Sequence, residues 1–202
     1  MDSVRYTGCQ EQTALQAGKS ESQVEAEALA LVERAVGGDI EAFGELYGMY
    51  LDRIYRYIFY QVSDKAMAED LTEEVFLKAW RSIGKYRWRG QPFSAWLYRI
   101  ARNHVIDHYR TNRQHQMLED NILADTGDPE REAEGKQTQK QLLEAISTLP
   151  EQQRQVIIMK FIEDMDNREI EEATGKSQGA IRILQMRALA ALRQTLDTEV
   201  LI

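Results

Sequence analysis

Between Asp166 and Gly175 the sequence has room for one short helix, and both of its ends are written out. Asp166 and Glu169 stand three apart just before Ile170 and Ala173. That is a capping box, in which the aspartate accepts an early helical N–H and the glutamate reaches back to the cap. Gly175 supplies the left-handed residue that closes a helix, and Ser177, two positions later, is an N-cap for the next one. Two helices joined by so short a glycine-containing turn make a helix-turn-helix. In the second helix Ile181, Leu184, Ala188 and Leu192 share one face, which must turn inward. Gln178, Arg182 and Gln185 fall within about 60° of one another on an adjoining face, the residue types and place that major-groove readout uses. An ordinary α-hairpin with an exposed polar face has the same pattern. Upstream, Pro150 opens the segment PEQQRQVIIMKFI, whose apolar content is Val156, Ile157 and Met159–Phe161.

The rest of the chain predicts helices too. The prolines are only Pro92, Pro129 and Pro150, and no stretch alternates apolar and polar residues over six positions. A helical block is expected over 25–113. In it Asp39 looks like an N-cap, followed by a stripe of Phe43, Leu46, Tyr50, Ile54, Tyr57 and Ile58. Ser63 is expected to cap a further helix reaching Ile83, Gly84–Gln91 to form a loop, and Pro92 to open a helix ending near Arg113. Residues 114–140 carry seven acidic residues and a Gly-Asp-Pro turn, which marks a linker; Met117, Leu118, Ile122 and Leu123 are too few for a core. The expectation is an all-α chain of two small helical domains, 25–113 and 141–202, joined by a flexible acidic linker over 114–140. Residues 1–24 are read as a disordered extension.

Net charge is −8, which at first argues against nucleic acid, since affinity there rests largely on phosphate neutralisation. The average hides a segregation. From Lys78 to Arg113 nine basic residues stand against one acidic, Asp107, and from Lys176 to Leu196 four basic residues stand against none. Two basic islands in an acidic chain point to two nucleic-acid contacts. The single cysteine, Cys9, excludes an internal disulfide framework and a cysteine-based zinc site. No apolar run approaches the roughly 18 residues of a membrane span, and the N-terminus lacks the pattern of a secretory signal. A cytoplasmic protein without membrane insertion is expected, and no cofactor or metal.

Two features of the first block carry chemistry. On the helix AEDLTEEVFLKAWRSI, Met67, Leu71, Val75, Ala79 and Ile83 form the inward stripe. That strands Leu77 on the other side among Asp70, Glu73 and Glu74, with Trp80 and Arg81 nearby, the look of a protein-binding face. Next comes GKYRWRGQPF, where Tyr86 and Trp88 alternate with Lys85, Arg87 and Arg89 on a glycine-flanked loop. Rings and guanidinium planes of this kind suit single-stranded bases. In the helix after it Phe93, Trp96, Leu97, Ile100 and His104 should face inward, with Arg99, Arg102, Asn103, Arg110 and Arg113 on the opposite face.

The segment LPEQQRQVIIMKFIEDMDNREIEEATGKSQGAIRILQMRALAALRQTL resembles the −35 recognition domain of bacterial sigma factors, and GDIEAFGELYGMYLDRIYRYIFY, AEDLTEEVFLKAW and FSAWLYRIARNHVIDHYR resemble their other domain. The order and spacing are those of the extracytoplasmic-function group. The resemblance implies a transcription-initiation factor that binds core RNA polymerase, at the clamp helices of the largest subunit and at the flap, and that reads promoter DNA. Asp70, Glu73, Glu74, Leu77, Trp80 and Arg81 would dock the polymerase. Lys85, Tyr86, Arg87, Trp88, Arg89, Arg99, Arg102, Asn103, Arg110 and Arg113 would meet the −10 element and melt it. Lys176, Ser177, Gln178, Arg182, Gln185 and Arg187 would meet the −35 element, Arg182 and Gln185 at base edges, Lys176 and Arg187 at phosphates. The linker would lie in the polymerase's RNA path, and an anti-sigma factor would be a further partner. Two positions depart from the family's pattern: Glu171 stands where a small alanine is usual and Lys176 where an apolar residue is usual. Both imply a looser, more hydrated turn.

Two other classes compete. His104 and His108, four apart, could face a metal, but the pattern H-x-x-D-H has aspartate where a zinc protease motif needs glutamate. A regulator that binds duplex DNA without polymerase would use the helix-turn-helix and leave the loop and Leu77 without a task.

Overall fold

The computed structural model describes residues 21–88, 90, 92–116 and 135–199. All regular structure among them is helical, as the proline and periodicity arguments predict, and no described helix is long and apolar enough to cross a membrane. The first block holds α1 (Glu21–Val36), α2 (Ile40–Val62), α3 (Lys65–Ile83) and α4 (Phe93–Gln116). The second holds α5 (Gly135–Ser147), α6 (Glu151–Ile157), α7 (Asn167–Thr174) and α8 (Gln178–Glu199). α1 begins within the stretch read as an extension, and α5 begins within the stretch read as linker. Residues 1–20 and 117–134 lie outside the described residues.

Local chemistry sets most boundaries. Asp39 caps α2, its carboxylate accepting the Ala42 N–H at 3.0 Å. Ser63 does not cap α3. It closes α2 in the left-handed region, φ 56°, with its N–H given to Phe59 O at 2.8 Å. A cap needs extended backbone, so the role passes to Asp64, which accepts from Met67 N at 2.7 Å. The stripe of α2 is buried from Leu46 to Ile58, with Phe43 half-buried against the Trp80 ring at 5.0 Å.

The helix opened by Pro150 does not run on as an α-helix. After Ile157 it widens into a π-turn, Ile158–Ile162, and Glu163 N donates to Ile158 O at 3.0 Å, five residues back. The extra residue in that turn rotates the side chains beyond it to new directions. Phe161, part of the apolar content of that segment, is 55% exposed, while Glu163 is buried. The buried residues of the two blocks then run together in one cluster, with α4 packed along α7 and the π-turn against α2. Nothing in the local patterns foretold that docking.

Candidate nucleic-acid interface

In the second block the predicted turn is closed at every point. Asp166 accepts from Arg168 N and Glu169 N at 2.7 and 2.8 Å, and Glu169 accepts from Asp166 N at 2.7 Å. Gly175 adopts φ 72° and donates to Glu171 O at 2.7 Å. Ser177 Oγ accepts from Ala180 N at 3.3 Å at the start of α8. The two departures from the family pattern do not loosen this turn, because each side chain has a partner. Glu171 accepts from Gln178 Nε2 at 3.1 Å, and Lys176 Nζ donates to Gln152 Oε1 at 3.1 Å.

The inward stripe of α8 is as expected, with Ile181 and Ala188 buried and Leu184 and Leu192 partly so. Arg182 and Arg187 are exposed. The two glutamines differ from the expectation of free readers: Gln178 is held by Glu171, and Gln185 Nε2 donates to Asn167 Oδ1 at 3.0 Å. Each amide keeps hydrogen-bonding capacity beyond the one bond it makes, and the bond fixes its rotamer.

In the first block the loop divides its aromatic residues. Trp88 is 61% exposed, but Tyr86 is buried, its ring edge-on to Phe93 and Trp96 at 5.6 and 5.2 Å. The expectation that both offer stacking faces is therefore corrected for Tyr86, which is a core residue that anchors the loop. Burial, with the nearby Glu172 charge second, also raises its phenol above the ordinary value. Arg87 donates to Gly84 O and Tyr86 O at 3.2 and 2.8 Å, so it too shapes the loop. Lys85 is exposed, and Arg89 lies outside the described residues. A cavity of about 200 Å³ opens here, lined by Lys85, Tyr86, Arg87, Pro92, Trp96 and Arg99, with Glu172 from α7 on one side.

On α4 Phe93 and Leu97 are buried, Trp96 and Ile100 partly so, and His104 is 8% exposed. The opposite face is not open along its length. Arg99 gives two hydrogen bonds to Glu172 O, at 2.9 and 2.6 Å, and pairs with the Glu172 carboxylate. Arg102 Nε donates to Gln155 Oε1 at 2.9 Å, and Nη1 to Asn103 Oδ1 at 3.2 Å. Two of the four arginines expected to lie along DNA, Arg99 and Arg102, are thus engaged by the second block. Arg110 is exposed beside Asp107 at 3.1 Å, and the side chain of Arg113 lies outside the described residues.

Sequence reasoning missed the centre of this contact. Glu163 is fully buried, and its carboxylate accepts from Arg56 Nε and Nη2 at 2.7 and 3.1 Å and from Tyr98 Oη at 2.6 Å. Arg53 donates to Glu163 O at 3.0 Å and brings Nε to 3.5 Å from the carboxylate. Burial first, and Glu163 after it, raise the Tyr98 phenol well above its ordinary value, so the hydroxyl stays protonated and donates. Arg53 and Arg56 stand three apart on α2, a spacing that puts them on one face; that was the readable signal.

On α3, Asp70, Glu73, Glu74 and Arg81 are exposed and Leu77 is 52% exposed among them. Trp80, expected near it among the docking residues, is half-buried against Phe43. Glu74 Oε2 lies 2.9 Å from His104 Nε2, and Lys78 Nζ meets the other ring nitrogen. The approach of Glu74 is close but out of line for a hydrogen bond, which leaves Nε2 without one. Burial first, then Lys78, lowers the His104 pKa from its ordinary value of 6.5.

Two family profiles match the chain: sigma-70 region 2 over residues 46–115 and sigma-70 region 4 over residues 139–192. The chain is 40% identical to the extracytoplasmic-function (ECF) RNA polymerase sigma factor BldN of Streptomyces coelicolor, over 85% of this chain and 66% of that protein. It is 32% identical to the ECF sigma factor SigD of Mycobacterium tuberculosis, covering 81% of each chain. Among solved structures, RpoE of Bartonella quintana, in complex with the anti-sigma factor NepR, superposes with a TM-score of 0.70 at 21% identity, over 78% of this chain and 98% of that one. CnrH, in complex with the cytosolic domain of CnrY, gives 0.68 at 23%, over 85% and 98%. At those identities the superpositions establish the shared fold, and the sequence matches establish kinship. The chain belongs to the sigma-70 family, in its extracytoplasmic-function group.

Proposed function

We propose that the chain is a transcription-initiation sigma factor that binds core RNA polymerase, reads the −35 and −10 elements of promoter DNA and promotes melting at −10. The observation that carries this reading is Leu77, a large apolar side chain 52% exposed in the middle of an acidic helix face. A regulator binding duplex DNA without polymerase has no use for that face, and an exposed apolar anchor ringed by charge is suited to a protein partner. In this reading 25–113 and 141–202 work as two DNA-reading units. Asp70, Glu73, Glu74, Leu77 and Arg81 dock the clamp helices of the polymerase, and Trp80 supports that helix from beneath. Trp88 with Lys85, Arg99 and Arg102 serves the opened −10 strand, while Arg182, Gln185 and Gln178 serve −35 base edges. Lys176 and Arg187 are placed for phosphates. The polymerase flap is a second contact, and an anti-sigma factor is the expected regulator, as NepR is named for its partner in the Bartonella structure. The chain would catalyse no reaction itself and would act in the cytoplasm, where the polymerase is.

Reconstitution tests this directly. Parent protein and Leu77→Asp are mixed with core polymerase and assayed for co-purification and for transcripts from a genomic fragment library. The parent should direct discrete start sites. Leu77→Asp should keep its circular dichroism and lose both association and transcripts. Association of the variant at parental affinity would remove Leu77 from the docking face.

A further inference from the structure

Glu171 on α7 and Gln178 at the start of α8 stand seven positions apart, and the turn between them is fixed at both ends. The Glu171 carbonyl accepts the Gly175 N–H at 2.7 Å, and Ser177 caps α8 one residue before Gln178. Across that turn Gln178 Nε2 donates to Glu171 Oε2 at 3.1 Å. Lys176, in the same turn, gives its Nζ to Gln152 Oε1 at 3.1 Å, which leaves the Glu171 carboxylate to Gln178. An ionised carboxylate only accepts, whereas an amide carries an acceptor on one arm and two donors on the other. The pairing therefore has one polarity. Turning the Gln178 amide over would set Oε1 against Glu171 Oε2, two acceptors with no proton between them. Held as it is, the amide points Nε2 at Glu171 and turns Oε1, on its other arm, away from it.

The second brace on the same helix lacks this polarity. Gln185 Nε2 donates to Asn167 Oδ1 at 3.0 Å, so its partner is another amide. Asn167 can turn over together with Gln185, exchanging donor for acceptor with the hydrogen bond kept. The distinction matters in the major groove, where the bases divide into two kinds at their exocyclic groups. Adenine and cytosine present an amino donor there, guanine and thymine a carbonyl acceptor. An outward Oε1 pairs with the first kind and repels the second. Adenine also offers N7 as an acceptor for the remaining N–H of the amide, which cytosine does not.

We propose that Glu171 is a specificity-determining positioning residue: by fixing the polarity of the Gln178 amide, it makes one −35 position read as an amino-bearing base, adenine first and cytosine second. This role rests on the reading of α8 as the −35 helix, but the hydrogen bond behind it forms without DNA. Glu171 touches no base and acts through Gln178. An alanine in its place would offer that amide no acceptor, and the freed side chain would meet either kind of base. Gln185, braced by an amide, adapts to either kind at its own position.

The test is binding of the full chain, assembled with core polymerase, to a promoter fragment whose −35 element is randomised. Gln178→Ala identifies the position that Gln178 reads, as the one whose preference it flattens. There the parent should favour adenine and cytosine over guanine and thymine at least about fivefold, the low end of what a base-edge pair supplies. Glu171→Gln keeps the size of the side chain but not the fixed polarity, so it should level that preference and leave the other positions as they were. A merely structural role for Glu171 would survive this change. Glu171→Ala should act in the same way. A parent that prefers guanine or thymine at this position, a preference that persists in Glu171→Gln, or a Gln178→Ala variant that flattens no position overturns the role. In the free chain, nuclear magnetic resonance should show slower hydrogen exchange at the Gln178 side-chain amide in the parent than in Glu171→Ala, and equal exchange removes the brace. A parent that binds no promoter with core polymerase breaks the functional reading and the base preference with it, while amide exchange still decides whether Glu171 holds Gln178.

Discussion

The chain carries two basic faces of similar reading in sequence and opposite state in the structure. On α8, Arg182 and Arg187 project freely, and the neighbouring polar groups are braced from within their own block by Glu171 and Asn167. On α4, Arg99 and Arg102 are taken up by groups of the other block. A basic face is not by itself an available one. Counting charges finds both islands, but any DNA meeting α4 as proposed would also have to displace what Arg99 and Arg102 already hold. On α8 there is little to displace.

The largest effect is expected at the loop beside α4. Tyr86→Ala should cost about 3–5 kcal/mol of folding stability, as for a large aromatic side chain removed from a core, read as a fall in the urea midpoint. Trp88→Ala should change that midpoint little, within about 0.5 kcal/mol, and should lower the permanganate reactivity of −10 thymines in holoenzyme. Equal stability losses would mean that the loop does not hold one ring inside and the other out.

A smaller effect is expected at the buried Glu163 carboxylate. Tyr98→Phe removes one donor from the Glu163 carboxylate and should destabilise the intact chain by about 1.5–3 kcal/mol, the range for hydrogen bonds to charged groups. Denaturant unfolding measures it, and no change would show that the hydroxyl is dispensable to the docking.

The open face should respond in kind and not only in size. Arg182→Ala should cost about 1–3 kcal/mol and relax preference at one or two −35 positions, whereas Lys176→Ala should weaken all sequences alike and lower the salt slope by about one. Holoenzyme binding to a −35 library at several salt concentrations separates the two, and a preferred sequence altered by Lys176→Ala alone would reverse the assignment.

The smallest effect concerns pH. His104 is held neutral, its pKa lowered from 6.5 by burial and then by Lys78. A depressed folded pKa gives stability that is present above 6.5 and lost as pH falls below it towards the folded value. His104→Gln should flatten that fall in the urea midpoint between neutral and mildly acidic pH. A variant with the parent's pH profile would assign the fall elsewhere.

The features legible in the residues are local. Asp39, Asp166 with Glu169, and Gly175 set their helix ends because a cap acts within four residues of itself. The stripes of α2, α3 and α8 were legible because helical periodicity alone places them. So was Leu77, which falls off its stripe by the same rule. Ser63 shows the limit even of local reading, since two adjacent capping residues competed and the backbone of α2 decided between them. That Tyr86 is core, that Phe161 faces out and that Glu163 faces in follows from the packing of the whole fold. The π-turn that swaps the last two carries no sequence signal here, and it is held by packing against α2. The contact at Glu163 joins residues 107 and 65 positions apart, Arg56 and Tyr98 to Glu163. No periodicity reaches across that separation; a buried carboxylate is stable only where its partners arrive together, and it is the fold that brings them.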